Sequence, residues 1–258
     1  MWITGASSGI GAALAKEIAQ HKGKLILSAR SLDKLEAVKQ ECSAYTDMIE
    51  IIKLDVADPD SIRNAWSLVG IGGWEVDILI NNSGISQRSI ATETSMKVVR
   101  QIMEVNFFGA VSLTTLVAEQ MVKRQTGYIV VIGSLSGKFG WKLRSTYAAS
   151  KFAIQGYYES LRAEIAEFGT KVLIVIPGRI QTNISMNAVL GDGTANQQMD
   201  PAQKGGIPTS ICAQKIVAGI KKNKKEIIIA RFERLMIPIR FLLPSLYYRI
   251  AAKRDPNI

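Results

Sequence analysis

The chain has 258 residues, enough for one large α/β domain whose core needs no disulfide staples. Its two cysteines, Cys42 and Cys212, lie outside any CxxC or Cys/His spacing, which argues against a metal centre or disulfide scaffold and for a reducing compartment. The net charge of +10 is spread along the chain without a zinc-finger or helix-turn-helix signature, so a solvated surface outweighs a nucleic-acid partner.

The first apolar run, Trp2–Ile3, stands at the start of the chain. It lacks the basic region and long apolar core of a signal peptide. A start inside a strand leaves room for native residues ahead of Met1. Thr4-Gly5-Ala6-Ser7-Ser8-Gly9-Ile10-Gly11 follows, and Ile10, Leu14 and Ile18 then recur with helical spacing. Glycines in a strand–turn–helix setting allow a sharp turn and close approach of backbone to a pyrophosphate. The helix N-terminus adds free N–H groups and a positive dipole end. Gly5, Ser7, Ser8, Gly9 and Ile10 are therefore assigned to the phosphates. The spacing Gly-x-x-x-Gly-x-Gly is a variant of the G-x-G-x-x-G fingerprint.

The second run is Leu25–Leu27. An acidic residue that binds a ribose 2′-OH is expected about 20 positions beyond the glycines. Ala29 and Arg30 stand there instead. A guanidinium suits a 2′-phosphate, so NADP(H) is preferred over NAD(H). The alternative keeps Arg30 merely exposed and lets Asp33 serve the ribose. Leu32, Leu35 and Val38 predict a helix with Ser31 as its N-cap. After the run Ile49–Leu54, Asp58 and Pro59 fill the N-cap and first helical positions of another.

The remaining runs are Ile78–Ile80, Tyr128–Ile132, Val172–Ile176 and Ile227–Ile229. All are short and rich in β-branched residues, as strands buried on both faces are. Strand–helix alternation predicts a Rossmann-type doubly wound parallel sheet of about seven strands in three layers. The whole of 1–258 reads as a single dinucleotide-binding and catalytic domain. Two segments break the alternation: a substrate loop over 183–208 and an apolar-basic tail over 231–258.

Ligands in such sheets bind at the carboxyl ends of strands. Asn81-Asn82-Ser83-Gly84 and Ser134 both fall at such ends, and Asn82 is assigned to the cofactor. Tyr147 and Lys151 are four residues apart and share a helix face. Reduction of a ketone or aldehyde places hydride on carbon and a proton on oxygen. Tyr, with a pKa of about 10, needs about 4 kcal/mol of differential stabilisation to work near neutrality. A Lys ammonium about 4 Å away supplies that at an effective dielectric near 20. Ser134 can hydrogen-bond and position the carbonyl oxygen.

Together these residues resemble the short-chain dehydrogenase/reductase family over about residues 1–230. The carriers are Thr4-Gly5-x-x-x-Gly9-x-Gly11, Asn81-Asn82-Ser83-Gly84, Asn106, Ser134, Tyr147-x-x-x-Lys151 and Pro177-Gly178. The resemblance implies that Tyr147 is the acid/base, that Lys151 lowers its pKa and binds the nicotinamide ribose, and that Ser134 orients the substrate. It makes Asn106 part of a water-linked proton relay. Asp55, followed by Val56, matches the family's adenine contact, and Thr182, after Pro177-Gly178, matches its carboxamide contact. Ser83 departs from the family, where Ala is usual.

The implied function is hydride transfer between NADP(H) and an apolar carbonyl or alcohol. Phe139, Trp141, Ile184, Met186 and Leu190 are candidate pocket residues. The alternative, a catalytically silent NADP(H)-binding regulator, should carry a broken set at Asn106, Ser134, Tyr147 and Lys151, and all are present. The expected assembly is a homodimer or homotetramer. The expected place is the cytoplasm, with a possible peripheral contact to a membrane through 232–254. The tail over 231–258 combines apolar residues with Arg231, Arg234, Arg240, Arg249, Lys253 and Arg254. It is interrupted by Arg240 and two prolines, too short in any run to span a bilayer, which needs about 20 apolar residues. Packing on its own domain is the plainer reading of the same residues.

Overall fold

The computed structural model describes residues 1–253; Arg254, assigned above to the tail, lies outside the described residues. Seven strands form one parallel sheet: β1 Trp2–Thr4, β2 Leu25–Ala29, β3 Ile49–Lys53, β4 Ile78–Asn81, β5 Gly127–Ile132, β6 Thr170–Pro177 and β7 Glu226–Ile229. Their order is β3-β2-β1-β4-β5-β6-β7. The direction of winding reverses between β1 and β4, which creates the crevice where such sheets bind ligands. Register is tight across it, with Trp2 opposite Ile26 on one side and Leu79 on the other.

Helices cover both faces. On one face α1 (Gly9–Gln20), α2 (Leu32–Cys42) and α8 (Thr209–Lys221) bury Leu14, Ile18, Leu35, Cys42 and Ile216 against Ile3, Leu27 and Val175. On the other, α3 (Pro59–Ile71), α5 (Gly109–Lys123) and α6 (Ser145–Ile165) bury Ile62, Leu113, Val117, Ile154 and Tyr158 against Trp2, Leu79 and Ile174. Burying each such side chain contributes about 1.5–3 kcal/mol, so the two apolar layers dominate the stability of the fold.

Local signals place the helix starts. Asp58 caps α3, its side chain accepting from the Asp60 amide, with Pro59 in the first turn. Ser31 sits at the N-cap of α2 in extended backbone, as its position in the sequence implies, though its hydroxyl makes no capping bond. The helix α4 (Met96–Met103) runs into α5 through a π-helical turn over Glu104–Phe108. The whole run Met96–Lys123 is long and apolar enough to cross a membrane. Ile102, Leu113, Val117 and Met121 are nonetheless buried within the protein, so it serves as a core helix.

The segment 183–208 is held by isolated bridges, Gln87 to Val189 and Ile180 to Ile207, and by the short α7 (Pro201–Lys204). The tail forms α9 (Met236–Leu242) and α10 (Pro244–Lys253). Met236 and Tyr247 are buried in the core. Phe241, Leu242, Leu243 and Tyr248 stand more than half exposed, at 67%, 77%, 55% and 61%. Self-packing therefore accounts for part of the tail only.

Candidate active site

Gly5 and Gly9 take φ of +63° and +56°, a region that side chains disfavour. A Cβ on Gly11 would lie 2.3 Å from the Gly5 carbonyl oxygen, so the turn can pack on α1 only with glycine there. Ser8 occupies the N-cap of α1, yet its hydroxyl makes no capping bond. The first N–H groups of α1, which a helix cannot satisfy internally, thus receive no cap from the Ser8 side chain. The turn is clamped to the end of β4: Asn82 Nδ2 donates to the carbonyls of Thr4 (3.0 Å) and Gly5 (3.1 Å). Thr4 Oγ1 accepts from the amides of Asn82 and Ser83. The Asn82 side chain thus holds the turn itself.

The other cofactor candidates surround this crevice. Arg30 is exposed at the end of β2, and Asp33 is exposed in the first turn of α2. Asp55 follows β3 and accepts from the Ala57 amide at 3.0 Å, so it folds its own strand-end turn; Val56 beside it is buried. Thr182 overhangs the glycine turn, its Cγ2 being 3.2 Å from where a Gly9 Cβ would stand. Pro177 ends β6. Gly178 lies against Glu233 of the tail, which accepts from the Arg179 amide at 3.2 Å.

A second cluster lies beyond β4 and β5. Ser134 follows β5; its hydroxyl accepts from the Ser136 amide at 3.1 Å and lies near enough to the Tyr147 phenol to pull its pKa down. Tyr147 and Lys151, on the first two turns of α6, are buried at 7% and 6% exposure. The Lys151 ammonium donates to the Ile132 carbonyl at 2.8 Å and stands 5.9 Å from the Tyr147 ring centre. Asn106, within the π-helical turn, donates to the Ile85 carbonyl (2.9 Å) and Ser150 Oγ (3.0 Å). Its Oδ1 accepts from the Ile85 amide (2.8 Å). A Cβ on Gly84 would meet both Asn106 Oδ1 (3.3 Å) and Lys151 Nζ (3.7 Å), which brings the two into one locality. The four residues therefore converge from β5, α6 and the α4–α5 junction.

Burial pushes the Tyr147 phenol up; the Ser134 hydroxyl and the charges of Arg144 and Arg88 pull the other way. Sequence reasoning assigned that pull to Lys151, whose own pKa burial brings down to about 8. Arg144, immediately before α6, is lowered to about 10, by burial first and then by neighbouring Arg88. Arg88 and Arg144 both pair with Asp200 of the 183–208 segment. Neither arginine carries a sequence signal: each is a charged residue in a loop, which reads as a solvated surface.

Beside Ser134 opens a cleft walled by Leu135, Phe139, Trp141, Arg144 and Arg179, with Asp200, Gln203 and Glu233 completing it. Phe139 and Trp141 meet edge to face at 5.4 Å, and Tyr247 of the tail packs on both. Of the other apolar candidates, Met186 is 37% exposed, while Ile184 and Leu190 are half-buried outside these walls. The cleft is thus more polar than the sequence suggested.

Comparison with known proteins bears on this site. Residues 1–192 match the profile of the family described as short chain dehydrogenase. Dehydrogenase/reductase SDR family member 7B of Bos taurus is 38% identical over 98% of this chain and 80% of its own length. Dehydrogenase/reductase SDR family protein 7-like of Anopheles gambiae is 40% identical over 99% of this chain and 83% of its own. Among solved structures, a short-chain dehydrogenase from Streptomyces avermitilis superposes with a TM-score of 0.81 at 28% identity, covering 97% and 95% of the two chains. A Sphingobium yanoikuyae short-chain dehydrogenase in complex with NADPH gives 0.78 at 23% identity over 99% and 96%, a likeness of fold.

Proposed function

The chain belongs to the short-chain dehydrogenase/reductase family, and from that premise we propose that it moves a hydride between NADP(H) and an apolar carbonyl or alcohol substrate. The observation that carries the reading is the convergence of Ser134, Tyr147, Lys151 and Asn106 beside the glycine turn. The turn fits a dinucleotide phosphate, because the α1 N-terminus has no side-chain acceptor of its own. Gly5, Ser7, Ser8, Gly9 and Ile10 would hold the pyrophosphate, Arg30 the 2′-phosphate, and Asp55 and Val56 the adenine. Asn82 would shape the turn, and Pro177, Gly178 and Thr182 would hold the nicotinamide end. When bound, NADP(H) supplies or accepts the hydride.

The chain's own residues handle the proton. Ser134 orients the carbonyl oxygen toward the Tyr147 hydroxyl, which donates its proton as the alkoxide forms. Lys151, held by Ile132, provides positive charge behind that phenol. Asn106 fixes Ser150 and the Ile85 backbone, and so keeps the proton path in place. Phe139 and Trp141 supply an apolar wall and exclude water. The domain acts as one unit over 1–258, as a homodimer or homotetramer in the cytoplasm, with the exposed apolar ridge of the tail against a membrane surface or a second subunit.

The arginines favour a second reading of the substrate: an apolar carbonyl compound that also carries an acidic group facing Arg144. The decisive experiment is NADPH consumption across steroids, retinoids, quinones and aldehydes. An aliphatic oxo-acid and its methyl ester are added as a matched pair. Reduction of any member supports the reductase reading, and preference for the acid selects the second substrate class. Tight NADPH binding with no turnover throughout would favour the silent regulator.

A further inference from the structure

Gln87 has no part in the reading above, yet it is fully buried and touches α6 at its start. The N-cap of α6, Arg144, gives no side-chain cap, so the first N–H groups of this helix need an acceptor from elsewhere. Gln87 Oε1 accepts from the Thr146 amide at 2.8 Å and from the Tyr147 amide at 3.3 Å. Its Nε2 faces Thr94 Oγ1 (2.9 Å), Ser89 Oγ (3.1 Å) and Ser145 Oγ (3.4 Å), which fixes the orientation of the carboxamide. On its backbone side, the Arg88 amide donates to the Val189 carbonyl at 2.9 Å, and the Val189 amide donates to the Ser86 carbonyl at 2.9 Å. One residue thus joins the 183–208 segment to the backbone of Tyr147.

We propose that Gln87 is a positioning residue, which caps α6 from a distant loop and thereby sets the Tyr147 hydroxyl against the substrate. The role rests on Tyr147 as the proton donor. The chemistry suits a carboxamide. Two converging N–H groups need one strong acceptor, while a neutral side chain leaves the positive end of the helix dipole acting on the phenol. A carboxylate would accept the same bonds but add a negative charge beside Tyr147 and hold its proton more tightly. The groups that face Tyr147 are otherwise Ser134, Arg144, Arg88 and Lys151.

The test compares Gln87→Met, Gln87→Glu and Tyr147→Phe in the full chain, with NADPH and phenanthrenequinone. Gln87→Met removes the acceptor and should lower kcat about tenfold or more, with NADPH affinity within about twofold. Gln87→Glu keeps the cap and should move the alkaline limb of the kcat–pH profile upward by about one unit. That shift would not follow from a merely structural role, and it decides the matter if Gln87→Met fails to fold. Near wild-type kcat in Gln87→Met, or an unmoved limb in Gln87→Glu, overturns the proposal while an inactive Tyr147→Phe keeps the acid/base reading. A fully active Tyr147→Phe overturns both.

Discussion

The Lys151 ammonium donates to the Ile132 carbonyl at 2.8 Å, a charge-assisted bond for a residue only 6% exposed. Burial lowers its pKa from the ordinary 10.5 to about 8. Between these values the unfolded chain binds a proton that the folded chain has lost, so stability rises with pH across this window. The charged lysine therefore costs the fold about 3 kcal/mol below pH 8. Urea unfolding of wild type and Lys151→Met should show the wild type gaining on the variant from pH 8 to 10. Tyr147 and Arg144 are common to both and cancel to first order. A gap constant with pH would rule out a burial penalty on the Lys151 charge.

The proposed preference for NADP(H) rests on Arg30, exposed just after β2 where an acidic residue would serve a free ribose. Charge-assisted bonds to a 2′-phosphate contribute about 1.5–3 kcal/mol. Arg30→Ala should therefore cut the NADPH-over-NADH ratio of kcat/KM by about 10–100-fold, chiefly through KM. A native preference for NADH that survives the change would transfer the role to Asp33.

The tail is tested by substitution at its exposed ridge. Removing it whole would also take away Glu233, which packs on Gly178, and Tyr247, which donates to the Gly140 carbonyl. Phe241→Ser with Leu242→Ser leaves those contacts alone. It should weaken flotation with anionic liposomes or shift the sedimentation coefficient toward a smaller species, with NADPH affinity unchanged. Association worth about 1.5–3 kcal/mol per buried side chain should be lost with them. Identical flotation and sedimentation in both forms would leave the ridge as ordinary surface.

Strand positions were legible because β-branched runs such as Val172–Ile176 have no exposed face to vary. The glycine turn and Tyr147-x-x-x-Lys151 were legible because each is local: their residues meet within one turn of chain. The rest of the site is assembled over long separations. Asp200 reaches Arg88 across 112 residues, and Gln87 reaches Thr146 across 59. Neither contact leaves a periodic trace. Ahead of α7, the segment 183–208 follows isolated bridges and turns rather than a helix or strand, so its apolar residues could not be assigned a face; Met186 turned outward while Val189 turned in. The π-helical turn that carries Asn106 likewise reads in sequence as plain helix.

On the proposed function, Tyr147 delivers the proton in an NADPH-dependent reduction. It is tested most directly by steady-state NADPH oxidation of wild type and Tyr147→Phe on the same carbonyl panel, with NADPH affinity measured separately for each. Wild type should turn over at least one carbonyl. Tyr147→Phe should lose about 10²–10⁴ in kcat at nearly unchanged NADPH affinity, the range that general acid catalysis contributes. Wild-type turnover in Tyr147→Phe would rule out Tyr147 as the proton donor.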